Sequence, residues 1–446
     1  MGRRYFGTDG IRGQVGSDPM TVDFALRLAS AAARVLAPRS GTVLIGKDTR
    51  VSGYMFESAL EAGFVAAGVD VLLTGPLPTP AIAVLTKQFG ADFGIVISAS
   101  HNPYYDNGIK FFDAEGEKLS DDLEEAIEDG LSAAPVTRES RALGQAKTAS
   151  TALSEYMAFC KRTIPPEMGL EDFKIVVDAS HGAGYKAAPR VMSDLGADVV
   201  AVGCSPNGRN INEGCGSMRP DLLKLTVTGV RAHVGMALDG DGDRVVMVDE
   251  RGSVVDGDQL LYVLACDRLE SKALRGPVVG TVMSNLGLEV ALRERGVKFE
   301  RAKVGDRYVL ALLKERGGIL GGESSGHVLC LDRTTTGDGL ITALQVLAVM
   351  RRTGRSLSDL ASGMRQFPQV LLNVKVAKRA DPTLDPGVRQ AVGAVEAKLG
   401  QRGRVVLRAS GTEPVIRVMV EGEDRHEVTA LADELAECVR TAFGRS

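Results

Sequence analysis

Lys174-Ile-Val-Val-Asp-Ala-Ser-His181 is a short apolar run closed by a turn, and Phe93-Gly-Ile-Val-Ile-Ser-Ala-Ser-His101 closes the same way. Both place Ala-Ser-His at one offset from a Val/Ile-rich stretch, and Val279-Gly-Thr-Val-Met-Ser-Asn285 follows more loosely. Such runs, with Thr42-Val-Leu-Ile45 and Pro277-Val-Val-Gly280 among them, alternate with amphipathic stretches, the pattern of an α/β chain. The shared ending reads as an internal repeat of a strand-turn-helix unit and predicts three related α/β domains. Apolar periodicity lapses over residues 133–141 and 250–258, which puts these domains at 1–150, 151–254 and 255–368. Residues 369–446 differ in character. They carry a strand-like Val370-Leu-Leu-Asn-Val-Lys-Val376, the turn-rich Asp381-Pro-Thr-Leu-Asp-Pro386, a helix, strands between about 404 and 420, and a final amphipathic helix. That order predicts a smaller α+β domain with an antiparallel sheet.

At 446 residues the chain exceeds one core, and 44% hydrophobic with 25% charged residues is ordinary for a soluble globular protein. A net charge of -4 disfavours nucleic acid as a partner, while local arginines still allow small anions. The six cysteines form no CxxC pair and read as reduced thiols. The N-terminal residues have no apolar core of a signal peptide and no segment is long and apolar enough to span a bilayer, so a cytoplasmic protein without membrane contact is expected.

Chemistry concentrates in a few loops. Asp239-Gly-Asp241-Gly-Asp243-Arg244 spaces three carboxylates at alternate positions after the strand-like Val234-Gly-Met-Ala-Leu238, an arrangement suited to one small hard cation, with Mg²⁺ foremost. A calcium loop would explain the Asp spacing and Glu250 at the twelfth position. It fails at the sixth, where Arg244 replaces the glycine, and in its strand-like flanks. Ser98-Ala-Ser100-His101-Asn102-Pro103 puts a serine at the carboxyl end of a strand, where ligands of α/β sheets gather, although a serine there also caps helices. His101 is a proton carrier or a loop histidine, and Lys110 a base, a charge stabiliser or a surface group. Gly321-Gly-Glu323-Ser-Ser325-Gly-His327 mixes carboxylate, hydroxyl and imidazole on a turn, a set suited to sugar hydroxyls. Arg408-Ala-Ser410-Gly411-Thr412-Glu-Pro-Val-Ile-Arg417 groups charged and hydroxyl donors around a glycine and reads as a phosphate nest. Phe6-Gly-Thr-Asp-Gly-Ile-Arg12-Gly13 is a further Gly-rich turn carrying an arginine.

Together with Gly46-Lys-Asp-Thr-Arg-Val-Ser-Gly53, these blocks in this order resemble the α-D-phosphohexomutase superfamily over essentially the whole chain. Val304-Gly-Asp-Arg-Tyr308, Arg417-Val-Met-Val-Glu421 and the N-terminal block make it most similar to the branch that interconverts glucosamine 6-phosphate and glucosamine 1-phosphate. Ser324 departs from that branch, which carries Gln there, and from the phosphomannomutase/phosphoglucomutase branch, which carries Met. The resemblance implies four domains around a central cleft, one loop from each. It implies that Ser100 carries a phosphoryl group and that Asp239, Asp241, Asp243 and phospho-Ser100 hold Mg²⁺. His101 and Lys110 then serve acid/base roles and Arg12 and Arg244 stabilise the phosphoserine. Glu323, Ser325 and His327 bind the sugar, and Arg408, Ser410, Gly411, Thr412 and Arg417 bind the non-reacting phosphate. A hexosamine phosphate substrate, a glucosamine 1,6-bisphosphate or glucose 1,6-bisphosphate activator and a homodimer go with it. Ser180 matches none of the catalytic blocks and is expected to be structural.

Overall fold

The central strands of the first three sheets are buried on both faces, and their sequences accordingly run apolar without alternation, while edge strands such as Asp198–Val202 are partly exposed. Phe93–Ile97 (FGIVI) and Val234–Leu238 (VGMAL) are buried at every position. The computed structural model describes residues 4–377, 381–409 and 414–444.

One unit recurs three times: strand, helix, strand, helix, strand, then a turn into a fourth, antiparallel strand. Its strands are Gly41–Lys47, Val69–Pro76, Phe93–Ile97 and Asp106–Asp113 in the first copy, and Lys174–Asp178, Asp198–Val202, Val234–Leu238 and Val245–Asp249 in the second. In the third they are Val278–Thr281, Phe299–Ala302, Leu320–Gly322 and Val328–Cys330. The spatial order is fourth, third, first, second in every sheet. The first three strands pair in parallel and the fourth runs back along the third. Ile11–Gln14 and Ala146–Thr148 extend the edges of the first sheet, and Val254–Val255 adds to the second.

The expectation of three related α/β domains therefore holds, but the tripeptide that suggested it joins positions that do not correspond. The turn at Ser100 follows the third strand of its unit and enters another strand. The turn at Ser180 follows the first strand of its unit and enters the helix Ala187–Asp194. The structural counterparts of the Ser100 turn are the Asp239–Arg244 loop and the Glu323–His327 loop, each between third and fourth strands. A three-residue match records a shared backbone bend, and that bend occurs at the end of either parallel strand.

One apolar core runs through the three units, joining Leu44, Ile82 and Val96 to Val177 and Met236 and onward to Leu320 and Leu344. The helix Gly339–Thr353 is buried over most of its surface, and its N-cap Asp338 accepts from Ile341 N and from the Tyr156 hydroxyl. The final domain has its own core around Val374, Val418 and Leu435. There Gln369–Lys375, Val415–Gly422 and Gly403–Ala409 form an antiparallel sheet packed against Pro386–Leu399 and Arg425–Phe443. The cysteines are all free.

Candidate active site

Parallel strands bring their carboxyl ends to one edge of a sheet, so the loop after each third strand opens toward the other units. Ser100 lies at that edge with φ +53, a left-handed bend. Ser98 supports it from beneath, its Oγ accepting from Ser100 N at 3.0 Å and donating to Asp48 Oδ2 at 2.6 Å. Outward, Ser100 Oγ donates to Asp239 Oδ2 at 2.7 Å, a contact between the first and second units.

Asp239, Asp241 and Asp243 present oxygens that all lie within 4.8 Å of one another, and all three residues are buried. Gly242, at φ +73, makes the tight bend that lets the side chains converge. Burial pushes the Asp239 carboxyl well above its ordinary range, and the neighbouring Asp241 and Asp243 push it further. Asp241 Oδ1 and Asp243 Oδ1 are buried with no hydrogen-bond partner among the described residues. Three crowded carboxylates with orphaned acceptors fit a hard, oxygen-preferring cation. Glu250 takes no part: it lies beyond the strand Val245–Asp249 and accepts from Ser358 Oγ, which ends the calcium-loop alternative.

Lys110, on Asp106–Asp113, places Nζ 2.7 Å from Asp241 Oδ2 and 2.9 Å from Asp9 Oδ2. Burial would lower its pKa, but Asp241, Asp9 and Asp243 raise it above the ordinary lysine value, so the side chain is a cation among carboxylates. His101 Nδ1 is 3.5 Å from Ser100 Oγ and 3.5 Å from an Arg244 nitrogen. Burial, with Arg244 and Arg12, lowers this imidazole to about 4. Arg12 is paired with Asp9, and Arg244 Nε lies 3.7 Å from Asp243 Oδ1.

The third unit closes the site. Gly326 N donates to Glu323 O at 2.9 Å, and Val245 N donates to Gly326 O at 3.1 Å, which ties this turn to the Asp loop. A side chain on Gly326 would meet Val245 O at 2.1 Å, so only glycine allows the approach. Glu323 Oε1 accepts from Gly305 N at 3.0 Å. Ser325 Oγ is a buried polar atom without a partner among the described residues. His327 lies between Asp243 and Asp306, with nitrogen to oxygen distances of 3.6 and 3.5 Å, and these carboxylates raise it to about 9 against the effect of burial.

In the last domain Arg408 and Arg417 are direct cross-strand partners. Like charges in that relation are unfavourable unless an anion lies between them. Burial and then Arg417 lower the Arg408 pKa, Glu323 of the third unit opposes them, and Arg408 Nε has no partner among the described residues. Ser410, Gly411 and Thr412 lie outside the described residues.

Three residues at the centre were not singled out from the sequence. Lys118 Nζ contacts Asp9 Oδ1 at 2.6 Å and Asp306 Oδ2 at 2.5 Å, bridging the first and third units. Asp9 and Asp306 each stand in a motif noted above without a role, whereas Lys118 carried no sequence signal at all.

Models of the phosphoglucomutase/phosphomannomutase family match in chain order. Alpha/beta/alpha domain I covers residues 3–136, domain II 154–252, domain III 256–367 and the C-terminal domain 371–438. A phosphoglucosamine mutase of Thioalkalivibrio sulfidiphilus is 59% identical over 445 residues, covering 99% of both chains. One from Aeromonas hydrophila is 55% identical over 99% of this chain and all of its own. Among solved structures, a phosphoglucomutase/phosphomannomutase family protein of Burkholderia thailandensis superposes with a TM-score of 0.81 at 24% identity, covering 99% of this chain and 98% of its own. Aspergillus fumigatus N-acetylphosphoglucosamine mutase, in complex with GlcNAc-6P and magnesium, superposes with a TM-score of 0.71 at 18% identity, covering 99% and 96%.

Proposed function

The chain belongs to the phosphoglucomutase/phosphomannomutase family, and from that premise we propose that it interconverts glucosamine 6-phosphate and glucosamine 1-phosphate. It is a phosphohexomutase, an enzyme that relocates a phosphoryl group on its sugar. The glucosamine preference is supported by the near-full-length identity to phosphoglucosamine mutases. The contact between Ser100 Oγ and Asp239 Oδ2, which joins a serine of the first unit to the acidic cluster of the second, carries the mechanistic reading.

Ser100 bears a phosphoryl group in the active form, placed there by glucosamine 1,6-bisphosphate or glucose 1,6-bisphosphate. The C1 hydroxyl of the bound 6-phosphate attacks phosphorus; the Oγ–P bond breaks as the O1–P bond forms, and the hydroxyl proton passes to the protein. The resulting 1,6-bisphosphate turns around, its C6 phosphate returns to Ser100, and O6 regains a proton. Of the two acid/base candidates His101, 3.5 Å from Ser100 Oγ, is placed to move that proton, while Lys110 offsets charge beside Asp241. Arg12 and Arg244 offset the charge of the phosphoserine. Asp239, Asp241, Asp243 and a Ser100 phosphoryl oxygen would hold Mg²⁺, which when bound neutralises part of the charge of about -1.5 to -2 on that group. Glu323, Ser325 and His327 meet the sugar hydroxyls, and Arg408, Ser410, Gly411, Thr412 and Arg417 take the phosphate that is not reacting. Domain divisions after residues 150, 254 and 368, a homodimer and a cytoplasmic location complete the reading.

The test compares kcat/KM for the 6-phosphates of glucosamine, glucose and mannose with Mg²⁺ and a bisphosphate present. Glucosamine 6-phosphate is expected to lead, and a preference for either other sugar would move the assignment to the phosphomannomutase/phosphoglucomutase branch. Phosphorylated enzyme is also expected to bind Mg²⁺ more tightly than enzyme stripped of phosphate, and equal affinities would remove Ser100 from the metal's ligands.

A further inference from the structure

Serine seldom adopts the left-handed conformation found at Ser100, so the surroundings must impose it. Two carbonyl oxygens of the turn, those of Ser100 and Asn102, are each gripped twice. Arg50, fully buried, donates one guanidinium nitrogen to Ser100 O at 3.0 Å and to Asn102 O at 2.8 Å. Asn212 donates Nδ2 to the same two oxygens, at 2.9 and 3.0 Å. Both neighbours are carbonyl oxygens that only accept, which fixes the Asn212 side chain with its NH₂ toward them.

The two donors come from different places. Arg50 follows the first strand of its own unit and anchors the turn within that domain, with Asp48 holding Nε at 2.8 Å. Asn212 belongs to the second unit, which carries the three aspartates. Its own backbone is left-handed, at φ +60, and its N–H donates to Ser180 O at 2.9 Å. The Asp loop passes directly against this contact: a side chain on Gly240 would lie 2.5 Å from Ser100 O and 2.7 Å from Asn212 Nδ2.

We propose that Asn212 is a positioning residue. With Arg50 it clamps the carbonyls of Ser100 and Asn102, and it alone of the two aligns Ser100 Oγ with the Asp239 cluster across the boundary between units. The inference rests on Ser100 as the phosphoryl carrier. Phosphoryl transfer depends on alignment, and a displacement of ~1 Å costs on the order of a hundredfold in rate. Sugar and distal phosphate are held by other loops, so loosening the clamp acts on kcat and spares KM.

Asn212→Gly removes the amide and keeps a residue that accepts the left-handed backbone. It is expected to lower kcat about 10- to 100-fold with KM for glucosamine 6-phosphate within about threefold. Its melting temperature should match the parent's. Amide hydrogen exchange, measured without substrate, should quicken in the peptide spanning residues 98–106. Asn212→Asp, which turns a carboxylate oxygen toward two carbonyls, should fall below the Gly variant in kcat. An unchanged kcat, a fall matched by a rise in KM or by a lower melting temperature, or unchanged exchange in that peptide would each overturn the clamp. Parent enzyme inactive on all three hexose phosphates would instead sink the mutase reading, and the exchange result would then decide the clamp by itself.

Discussion

Ser100 and Ser180 stand in the same Ala-Ser-His sequence and bend alike, at φ +53 and +50. One hydroxyl meets Asp239 at 2.7 Å; the other is buried with no partner among the described residues. Their positions in the repeated unit account for the difference. The turn after a third strand leads into an antiparallel strand and, at Ser100, meets the Asp loop of the second unit, whereas the turn after a first strand leads into a helix. In the second unit that first-strand turn supports the Asp loop, with Ala183 N donating to Gly240 O at 2.8 Å. In the first unit it supplies Arg50. A short motif specifies a bend, and the topology decides whether the bend faces a substrate or another loop.

The comparison breaks most directly at the serines themselves. Ser100→Ala should lose at least about a thousandfold in turnover with the fold retained. Ser180→Ala should stay within about twofold and melt no lower, since it deletes only an unpaired buried hydroxyl. A large loss from the second variant, in steady-state assays side by side, would end the division between the two turns.

The carboxylates beside the two turns sharpen it. Asp178 is satisfied by Ser180 N at 2.9 Å and Gly216 N at 2.7 Å, while Asp239 is crowded by two other carboxylates. Asp239→Asn should cost roughly a hundredfold in kcat, yet the metal-free protein should melt higher because repulsion among buried charges is relieved. Asp178→Ala should reverse the pattern, losing about 1–3 kcal/mol of stability in denaturant titrations with a much smaller loss of turnover.

Gly182→Ala tests the contact between the first-strand turn and the Asp loop. Its new Cβ would lie 2.3 Å from Gly240 O, so the Asp loop must shift. A fall of about tenfold in kcat, with a weaker apparent affinity for Mg²⁺, is expected from kinetics across a metal titration.

The smallest effect concerns the first-strand turn of the third unit, where Asp258 Oδ2 accepts from Asn285 N at 2.7 Å. Burial, then Asp256, pushes the Asp258 carboxyl up to about 7. A carboxyl raised in the folded state contributes its full stability below its unfolded pKa near 4, and loses it as pH rises through the folded value. Asp258→Asn should therefore gain on the parent between pH 5 and pH 8, by about 2–3 °C in melting temperature. A constant difference across that range would remove the effect of the buried charge.

Much of this organisation was legible in the residues. Val/Ile-rich runs alternating with amphipathic stretches announced α/β domains, and the blocks at Asp239, Ser100, Glu323 and Arg408 carried enough local chemistry to mark the candidate site. Other features were not legible. Nothing near Lys118 distinguishes it from a surface lysine, and its importance lies in Asp9 and Asp306, which are distant in the chain. Lys110 read as a base, a charge stabiliser or a surface group, and only the three surrounding carboxylates single out the held cation. The Ala-Ser-His match correctly pointed to repetition but aligned a third strand with a first.

By itself, then, the sequence determined which stretches become strands, which turns bend through glycine, and which donor sets could hold a metal, a sugar or a phosphate. These follow from periodicity and side-chain chemistry, which act over a few residues. Only the tertiary structure decided that Ser100 meets Asp239, that Asn212 grips the Ser100 turn, and that Ser180 faces inward. Those outcomes depend on how separate sheets pack edge to edge, and packing joins groups whose separation along the chain leaves no local trace.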